Sequence, residues 1–323
     1  MIQSPATYQF TLDKAIFEWL QQKHTRTGSE KTRKAYIDTM RSFRETLQRG
    51  GLDLLDNPID IARVAAIWAG LRTAGAKRQG GISPATYNQR LAILSSFYTF
   101  LQDTYHLDTP NPIESVKKRP VQAYASAMPL DADEVTDRLA SIDRSTLQGK
   151  RDYALLSVAL ATGRRASELV ALRGKHIRQF GKKIVLTFEH CKGDKTMRDT
   201  LDPDVAKVLM SYLRAIYGED LGNLLPESPI WVSFSRQNRG KPVSTHTLND
   251  LCERYLGTSK IHTLRHTFAV EMEKVGAPIS EISARLGHTS EKITGIYLKQ
   301  MRSSENPYAS RLAARFGIGK EQE

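Results

Sequence analysis

Apolar residues recur at three- and four-residue intervals through roughly the first hundred positions, and this spacing predicts amphipathic helices. Ser29 precedes the second apolar stripe and Ser83-Pro84 precedes the fourth, as expected of residues that begin helices. Gly28 and Gly50-Gly51 follow the first two stripes and are typical of helix ends. The pattern therefore predicts an N-terminal bundle of four helices. Its core-facing positions are Leu12, Ile16, Trp19 and Leu20, then Tyr36, Met40, Phe43 and Leu47, then Ile61, Val64, Ala65 and Trp68, and finally Tyr87, Leu91, Leu94, Phe97, Tyr98 and Leu101.

The helical pattern stops in residues 108–128, a segment rich in Pro, Lys, Ser and Ala. Its prolines, and Pro129 directly after it, prevent a continuous helix. We therefore predict a helical domain at 1–107, an interdomain linker at 108–128 and a second domain at 129–323. The run Lys117-Lys118-Arg119 in this linker fits either a contact with a phosphate backbone or an ordinary solvated surface.

The second domain combines helical patterns with two segments of strand character. A polar turn, Lys192-Gly193-Asp194-Lys195, separates these segments, which predicts a β-hairpin. The fold class is therefore mainly α, with a small antiparallel sheet in the second domain. The predicted elements are a helix around Asp133–Ile142, an apolar stretch at Tyr153–Ala161, the hairpin strands Lys183–Phe188 and Thr196–Leu201, further helices from Pro203, and a short strand at Ile230–Phe234.

The chain carries a formal net charge of +12 and has a sequence pI near 9.6. The surplus is shared evenly, because residues 1–128 and residues 129–323 each carry six more Lys and Arg than Asp and Glu. Excess positive charge favours polyanionic partners, chiefly nucleic acid. An even surplus suits two domains that touch the same long anion, although a merely basic protein remains the alternative.

Cysteine content and hydropathy indicate where the chain works. Cys191 and Cys252 have no paired spacing, which predicts neither a disulfide framework nor a thiolate metal site and favours a reducing compartment. No run of about 18 apolar residues occurs, and the N-terminus has no signal-peptide pattern. We therefore expect a soluble cytoplasmic protein and no membrane partner.

The clearest candidate for chemistry is the segment His262-Thr263-Leu264-Arg265-His266-Thr267-Phe268-Ala269. Positions three apart share a helix face, so His262 and Arg265 can face one ligand. Such a pair alone is more typical of an exposed basic helix end. However, Thr162-Gly163-Arg164-Arg165 precedes it, Leu286-Gly287-His288 follows it, and Tyr297 stands nine residues after that histidine.

This ordered set resembles the catalytic signature of the tyrosine recombinases, the family of phage integrases and of Xer- and Cre-like enzymes. The resemblance covers nearly the whole chain. It implies that the N-terminal helices form a core-binding, SAM-like DNA-binding domain, that the rest forms the catalytic domain, and that no cofactor and no metal are needed. The catalytic residues that it implies are Arg165, Lys192, His262, Arg265, His288 and the nucleophile Tyr297, with Glu168 supporting Arg165.

Two of these assignments leave alternatives open. The family usually has an apolar residue where this chain has Arg164, so the register allows either Arg164 or Arg165, and the distance to Glu168 favours Arg165. The family's lysine lies in a hairpin turn, for which Lys192 is the better match and Lys195 the reserve.

Elementary chemistry explains why such a set is needed. Attack on a phosphodiester moves negative charge onto its non-bridging oxygens, and two guanidiniums can bind these oxygens with permanently charged, bidentate hydrogen bonds. A phenol has an ordinary pKa of about 10, so Tyr297 needs cations or a base nearby. The leaving 5′ oxygen needs a proton, for which Lys192 is the candidate acid. A covalent link to the protein stores the bond without ATP.

Each feature also has a simpler explanation. Tyr297 lies on an apolar helical stripe with Ile293, Ile296 and Leu298 and could be an ordinary core residue. The apolar residues after Lys299 predict a docking helix, on a neighbouring protomer or on its own domain.

The leading hypothesis is a recombinase that holds double-stranded DNA between its domains and works as a homotetramer on two sites, with or without a second related recombinase. Such an enzyme would be associated with the nucleoid when it acts. A type IB topoisomerase-like enzyme and a catalytically silent DNA-binding protein are the alternatives.

Overall fold

The computed structural model describes residues 11–72, 81–121, 128–191, 195–288 and 290–302, together with Arg311 and Arg315. The chain divides into two compact units, Met1–Gln122 and Ala123–Glu323. Both are dominated by helices, and the second also contains a three-stranded antiparallel sheet. The predicted fold class, mainly α with a small antiparallel sheet, is confirmed.

The first unit contains the four predicted helices, and local capping explains where they begin. The Ser29 hydroxyl accepts a hydrogen bond from the Thr32 amide, and the Ser83 hydroxyl accepts one from the Thr86 amide. Gly28 ends the first helix in the left-handed conformation, with φ of 61°. The helices are α1 (Leu12–Thr27), α2 (Glu30–Arg49), α3 (Pro58–Gly70) and α4 (Pro84–Tyr105).

Aromatic side chains fill the core of this first unit. The Trp19 ring packs edge-on against Phe97, with centroids 5.3 Å apart, and Phe43 lies 5.1 Å from Trp68. Leu47, Leu54, Leu91 and Leu94 are also fully buried. The four helices are thus joined by one continuous apolar cluster.

Part of the segment predicted as a linker packs against this core. A 3₁₀ helix at Pro112–Ser115 contacts α3 and α4 and buries Ile113. The Asn111 side chain caps it by accepting from the Ile113 amide. Further along, the Arg119 guanidinium lies 4.0 Å from the centre of the Tyr87 ring. Residues 111–119 therefore belong structurally to the first unit.

The second unit is built on two central helices and the sheet. Helix α6 packs along α8, and strands β1, β2 and β3 pair antiparallel in that order. The predicted hairpin corresponds to β2 and β3. The elements are α5 (Ala132–Ala140), α6 (Leu147–Thr162), α7 (Ala166–Val170), β1 (Ile177–Phe180), β2 (Lys183–Cys191), β3 (Lys195–Thr200), α8 (Pro203–Tyr217), α9 (Thr245–Leu256), α10 (His262–Lys274), α11 (Ile279–Leu286) and α12 (Glu291–Arg302).

The short strand predicted at Ile230–Phe234 is wrong. This segment forms only an isolated bridge, in which Val232 faces Pro242. The flanking amides do bond across, from Ser233 to the Lys241 carbonyl and from Val243 to the Trp231 carbonyl. The Ser233 carbonyl accepts from the Gly240 amide, and the Lys241 amide donates to the Asn238 carbonyl. These turn hydrogen bonds limit the pairing to one bridge.

Two apolar clusters hold the second unit. The larger one surrounds α6, α8 and the sheet, and the smaller one joins α10, α11 and α12 through Ala269, Ile282, Leu286 and Leu298. Within the described ranges, no helix combines the length and apolar character needed to cross a membrane.

Candidate active site

The first part of the candidate site is the turn that ends α6. Gly163 adopts a φ of 59°, and a Cβ at this position would overlap the ring of Phe268 on α10. Only glycine therefore allows α10 to approach so closely. The carbonyl of Gly163 accepts a hydrogen bond of 2.8 Å from Nη1 of Arg265.

The two arginines after this glycine have different surroundings. Arg164 is buried, and its Nε donates to Oδ2 of Asp199 at 2.6 Å. Arg165 is 26% exposed, and its Nη1 donates to Oε1 of Glu168 at 2.9 Å. The backbone amide of Arg165 donates to the other oxygen of the same carboxylate. Glu168 thus orients Arg165, and of the two arginines Arg165 is the one that reaches solvent.

Arg265 connects the ends of two helices. Its guanidinium is buried and donates to the Gly163 carbonyl at the end of α6 and to the Leu286 carbonyl at the end of α11. Helix C-termini carry partial negative charge, so this cation is well placed. The contact brings together segments 102 and 21 residues apart in the sequence.

His262 is the first residue of α10, and its environment favours the neutral form of its imidazole. Burial lowers the pKa of its imidazole, and the positive charges of Arg265 and Arg165 lower it further. Its ring lies edge-on to that of His266, with centroids 4.7 Å apart. Burial, and then the charges of His262 and Arg265, lower the pKa of His266 to about 4. A neutral imidazole at position 262 can accept a proton.

His288 stands directly after α11, where Gly287 turns the chain with a φ of 62°. Nδ1 of His288 is 2.8 Å from the hydroxyl of Thr294, a fully buried residue of α12. Thr294 precedes Tyr297 by three residues, which is close to one helical turn. The sequence interpretation had no role for Thr294. The spacing His-x₅-Thr-x₂-Tyr could have suggested one.

Tyr297 lies in α12, and the placement of its side chain is outside the described part of the structure. Lys192 also lies outside the described residues. Its neighbours are described: Cys191 ends β2 and pairs with the exposed Lys195, which begins β3. Burial and then the Glu168 carboxylate raise the pKa of the Cys191 thiol, so the end of β2 lies beside Glu168.

The structure therefore brings together Arg165, Glu168, Arg265, His262 and the backbone that carries His288. Besides Thr294, it contains two buried residues that the sequence interpretation missed. These are His266, in contact with His262, and Asp199, in contact with Arg164. The position of His266 inside the motif was visible in the sequence, whereas no local signal marked Asp199.

A separate groove of about 960 Å³ lies on the first unit. Its lining is net positive, with the cations Lys23, Arg26, Lys117 and Lys118, the acids Asp103 and Glu114, hydroxyl groups of α4 and apolar side chains. Burial lowers the pKa of Lys23, and the charge of Arg26 lowers it further. A groove of this charge and size fits an anionic backbone.

Comparison with known proteins gives a consistent result. Residues 129–303, more than half of the chain, match the model of the phage integrase family. Tyrosine recombinase XerD of Staphylococcus aureus is 27% identical over 234 residues, covering 69% of this chain and 74% of XerD.

Solved structures show the same fold. The XerH site-specific recombinase bound to palindromic difH substrate, a post-cleavage complex, matches with a TM-score of 0.64 and 18% identity over 97% of this chain and 91% of that chain. A lambda integrase tetramer bound to a Holliday junction matches with a TM-score of 0.63 and 18% identity over 93% and 80% of the two chains.

Proposed function

Because the chain belongs to the phage integrase family and is a tyrosine-type site-specific DNA recombinase, we propose that Tyr297 attacks a DNA phosphodiester and becomes joined to its 3′ phosphate. The bond from phosphorus to the 5′ oxygen breaks, and a 5′ hydroxyl leaves. Attack by the 5′ hydroxyl of another strand reverses the reaction, restores the tyrosine and rejoins the DNA.

The observation that carries this proposal is the bridge made by Arg265. It links the turn ahead of Arg165 to the end of the helix ahead of His288. Three segments that are far apart in sequence, and that carry four of the six candidate catalytic residues, therefore converge. A preorganised cationic cluster of this kind stabilises charge that develops in a phosphoryl transition state.

Each residue has a role in the proposed reaction. Arg165 and Arg265 hold the non-bridging oxygens, and His288 donates to one of them. His262, neutral because of its surroundings, takes the phenol proton of Tyr297 as the oxygen attacks. Lys192 gives a proton to the leaving 5′ oxygen.

We also propose that the protein binds duplex DNA through both units, with the cationic groove around Lys23 and Lys117 on the first unit. The lambda integrase complex is a tetramer on a Holliday junction, which supports a homotetramer on two sites, with or without a second related recombinase. Mapping the covalent cleavage position on DNA flanking the gene separates integration, excision and dimer resolution.

The nucleophile is tested with Tyr297→Phe on a nicked suicide substrate made from that flanking DNA. The unchanged protein should form an adduct that survives denaturing electrophoresis. The variant should form none, because it lacks the attacking oxygen, and it should still shift the DNA in a native gel. Tyr153→Phe, which changes a tyrosine packed under Arg144, is the matched control and should form adduct normally.

An adduct formed by Tyr297→Phe would overturn the assignment. Relaxation of supercoiled DNA without site preference or synapsis would instead indicate a type IB topoisomerase-like activity.

A further inference from the structure

Asp199 is a buried acid on β3 that joins three segments of the second unit. Its Oδ2 accepts from Nε of Arg164 at 2.6 Å, and its Oδ1 accepts from Nη1 of Arg285 at 3.1 Å. Arg164 precedes Arg165, and Arg285 lies on α11 three residues before His288. One carboxylate is thus bonded to the neighbours of two candidate catalytic residues.

Arg164 in turn contacts both strands of the hairpin that carries Lys192 in its turn sequence. Its guanidinium lies 5.0 Å from the centre of the Phe188 ring on β2 and bonds to Asp199 on β3. The strands are paired here, with Asp199 opposite Leu186 and Phe188 opposite Met197. The Arg164 side chain therefore links the Arg165 segment to both strands of the hairpin.

Stability alone is a poor reason for this arrangement. The side chains of Arg164 and Asp199 are only 2% and 4% exposed, so both charges have been taken out of water. Replacing such a pair by apolar residues is often neutral or even stabilising. This chain has Arg164 at a position where the tyrosine recombinases usually have an apolar residue. A charged hydrogen bond fixes the orientation of its two side chains relative to each other, which an apolar contact does not.

We propose that Arg164 and Asp199 form a positioning pair that holds the Lys192 hairpin in register with Arg165, so that the general acid meets the leaving oxygen. This inference rests on the proposed function. Neither residue touches DNA in this role. The pair acts through the hairpin, and Arg285 anchors Asp199 from the other side.

Asp199→Asn keeps the shape of the side chain and removes its charge. We expect single-turnover cleavage at saturating DNA to slow by up to about 100-fold, the usual cost of misplacing a catalytic group by about 1 Å. DNA affinity should stay unchanged, because the pair is buried away from solvent.

A substrate with sulfur in place of the leaving 5′ oxygen identifies the step that is affected. A thiol has a pKa of about 8.5, so the thiolate leaves without a proton from a general acid. If the pair positions Lys192, Asp199→Asn should cleave the sulfur substrate nearly as fast as the unchanged protein does. Lys192→Ala should be slow on the oxygen substrate and restored in the same way.

Two further variants control for folding. The double variant Arg164→Leu with Asp199→Asn removes both buried charges, so that no cation is buried without its carboxylate. It should still cleave the oxygen substrate slowly and the sulfur substrate at a nearly normal rate. Glu281→Gln removes the other partner of Arg285, on the exposed side, and should cleave normally.

Equal slowing of Asp199→Asn on both substrates, or full speed of the double variant on oxygen, would overturn the positioning role alone. Failure of the unchanged protein to form adduct, or adduct formed by Tyr297→Phe, would overturn the proposed function instead. A Lys192→Ala variant that sulfur does not restore would overturn the acid assignment and the positioning role together.

Discussion

The two units of this protein differ most in what they bury. Among the described residues of the first unit, Asn111 is the one buried polar side chain, and the rest of the core is aliphatic and aromatic. The second unit buries many polar and charged groups. These are Arg151, Asp152, Thr162, Arg164, Glu168, His176, Asp199, Ser233, Thr263, Arg265, His266, Thr267, Ser283 and Thr294.

The first unit is therefore held together by apolar packing, whereas the second unit also buries polar and charged groups of the candidate active site. Burying a charge is costly unless it is paired and hydrogen-bonded, so each buried charge needs a compensating partner. In the second unit the partners include the carboxylates of Asp152, Glu168 and Asp199 and two helix-end carbonyls. Such surroundings are typical of functional sites. The comparison predicts that replacing a buried residue of the first unit lowers stability, whereas replacing an equally buried residue of the second unit can lower the cleavage rate.

The largest expected effect is on the stability of the first unit. Phe97→Ala removes a fully buried ring that packs against Trp19, and should lower the free energy of unfolding of this unit by about 3–5 kcal/mol. Hydrogen exchange of peptides from the unit measures this loss. Cleavage at saturating DNA should be unchanged while the unit stays folded.

Phe17→Ala is the matched control, because the Phe17 side chain is 61% exposed. It should change the free energy of unfolding by no more than about 0.5 kcal/mol. A similar loss from both variants would mean that the helices of the first unit are not held by this aromatic core.

A slightly smaller effect is expected on the chemistry of the second unit. Arg265→Lys keeps the charge but not the fork that donates to the Gly163 and Leu286 carbonyls. Single-turnover cleavage should fall by about 10²- to 10³-fold, as when one fixed donor to a transition state is lost.

The control for that change is Arg138→Lys, at an exposed arginine paired with Glu134 on α5, which should cleave normally. If Arg265→Lys lost stability but kept its cleavage rate at saturating DNA, the bridge would be only a structural link.

The smallest of the three effects is a difference in acid sensitivity. The pKa of His266 is lowered to about 4 by burial, so between pH 6.5 and 4 the unfolded chain binds more protons than the folded one. The stability that depends on neutral His266 is complete above about pH 6.5 and is lost as the pH falls through about 4, a change of about 3 kcal/mol. The lowered pKa of His262 acts in the same direction.

Hydrogen exchange at pH 7 and at pH 4.5, corrected for the intrinsic exchange rate, compares the two units directly. The second unit should lose more protection than the first, and His266→Asn should reduce the difference. An equal loss in both units would contradict the idea that buried histidine makes the second unit acid-sensitive.

Local signals in the sequence were sufficient for much of the fold. Ser29 and Ser83 cap helices where the sequence predicts, because a cap needs only the next three residues. The spacing of Trp19, Phe43 and Phe97 in their stripes placed them in the core for the same reason. The strand predicted at Ile230–Phe234 failed because a strand also needs a partner, and the turn hydrogen bonds of Gly240 and Lys241 limit its pairing to one bridge.

The candidate site shows the limit of such signals. The order of Arg165, His262, Arg265, His288 and Tyr297 along the chain is enough to suggest the chemistry. The difference between Arg164 and Arg165 is not visible in that order, since both follow the same glycine. It depends on Asp199, which lies 35 residues away.

The sequence by itself determined the helices, the hairpin, the cationic surplus and the identity of the residues available for catalysis. Each of these depends on neighbours within a few positions or on composition. Only the tertiary structure decided which arginine is buried, which carbonyls hold Arg265 and which hydroxyl meets His288. These contacts join residues on separate elements, and a buried charge accepts whichever partner the packing of those elements brings within hydrogen-bonding distance.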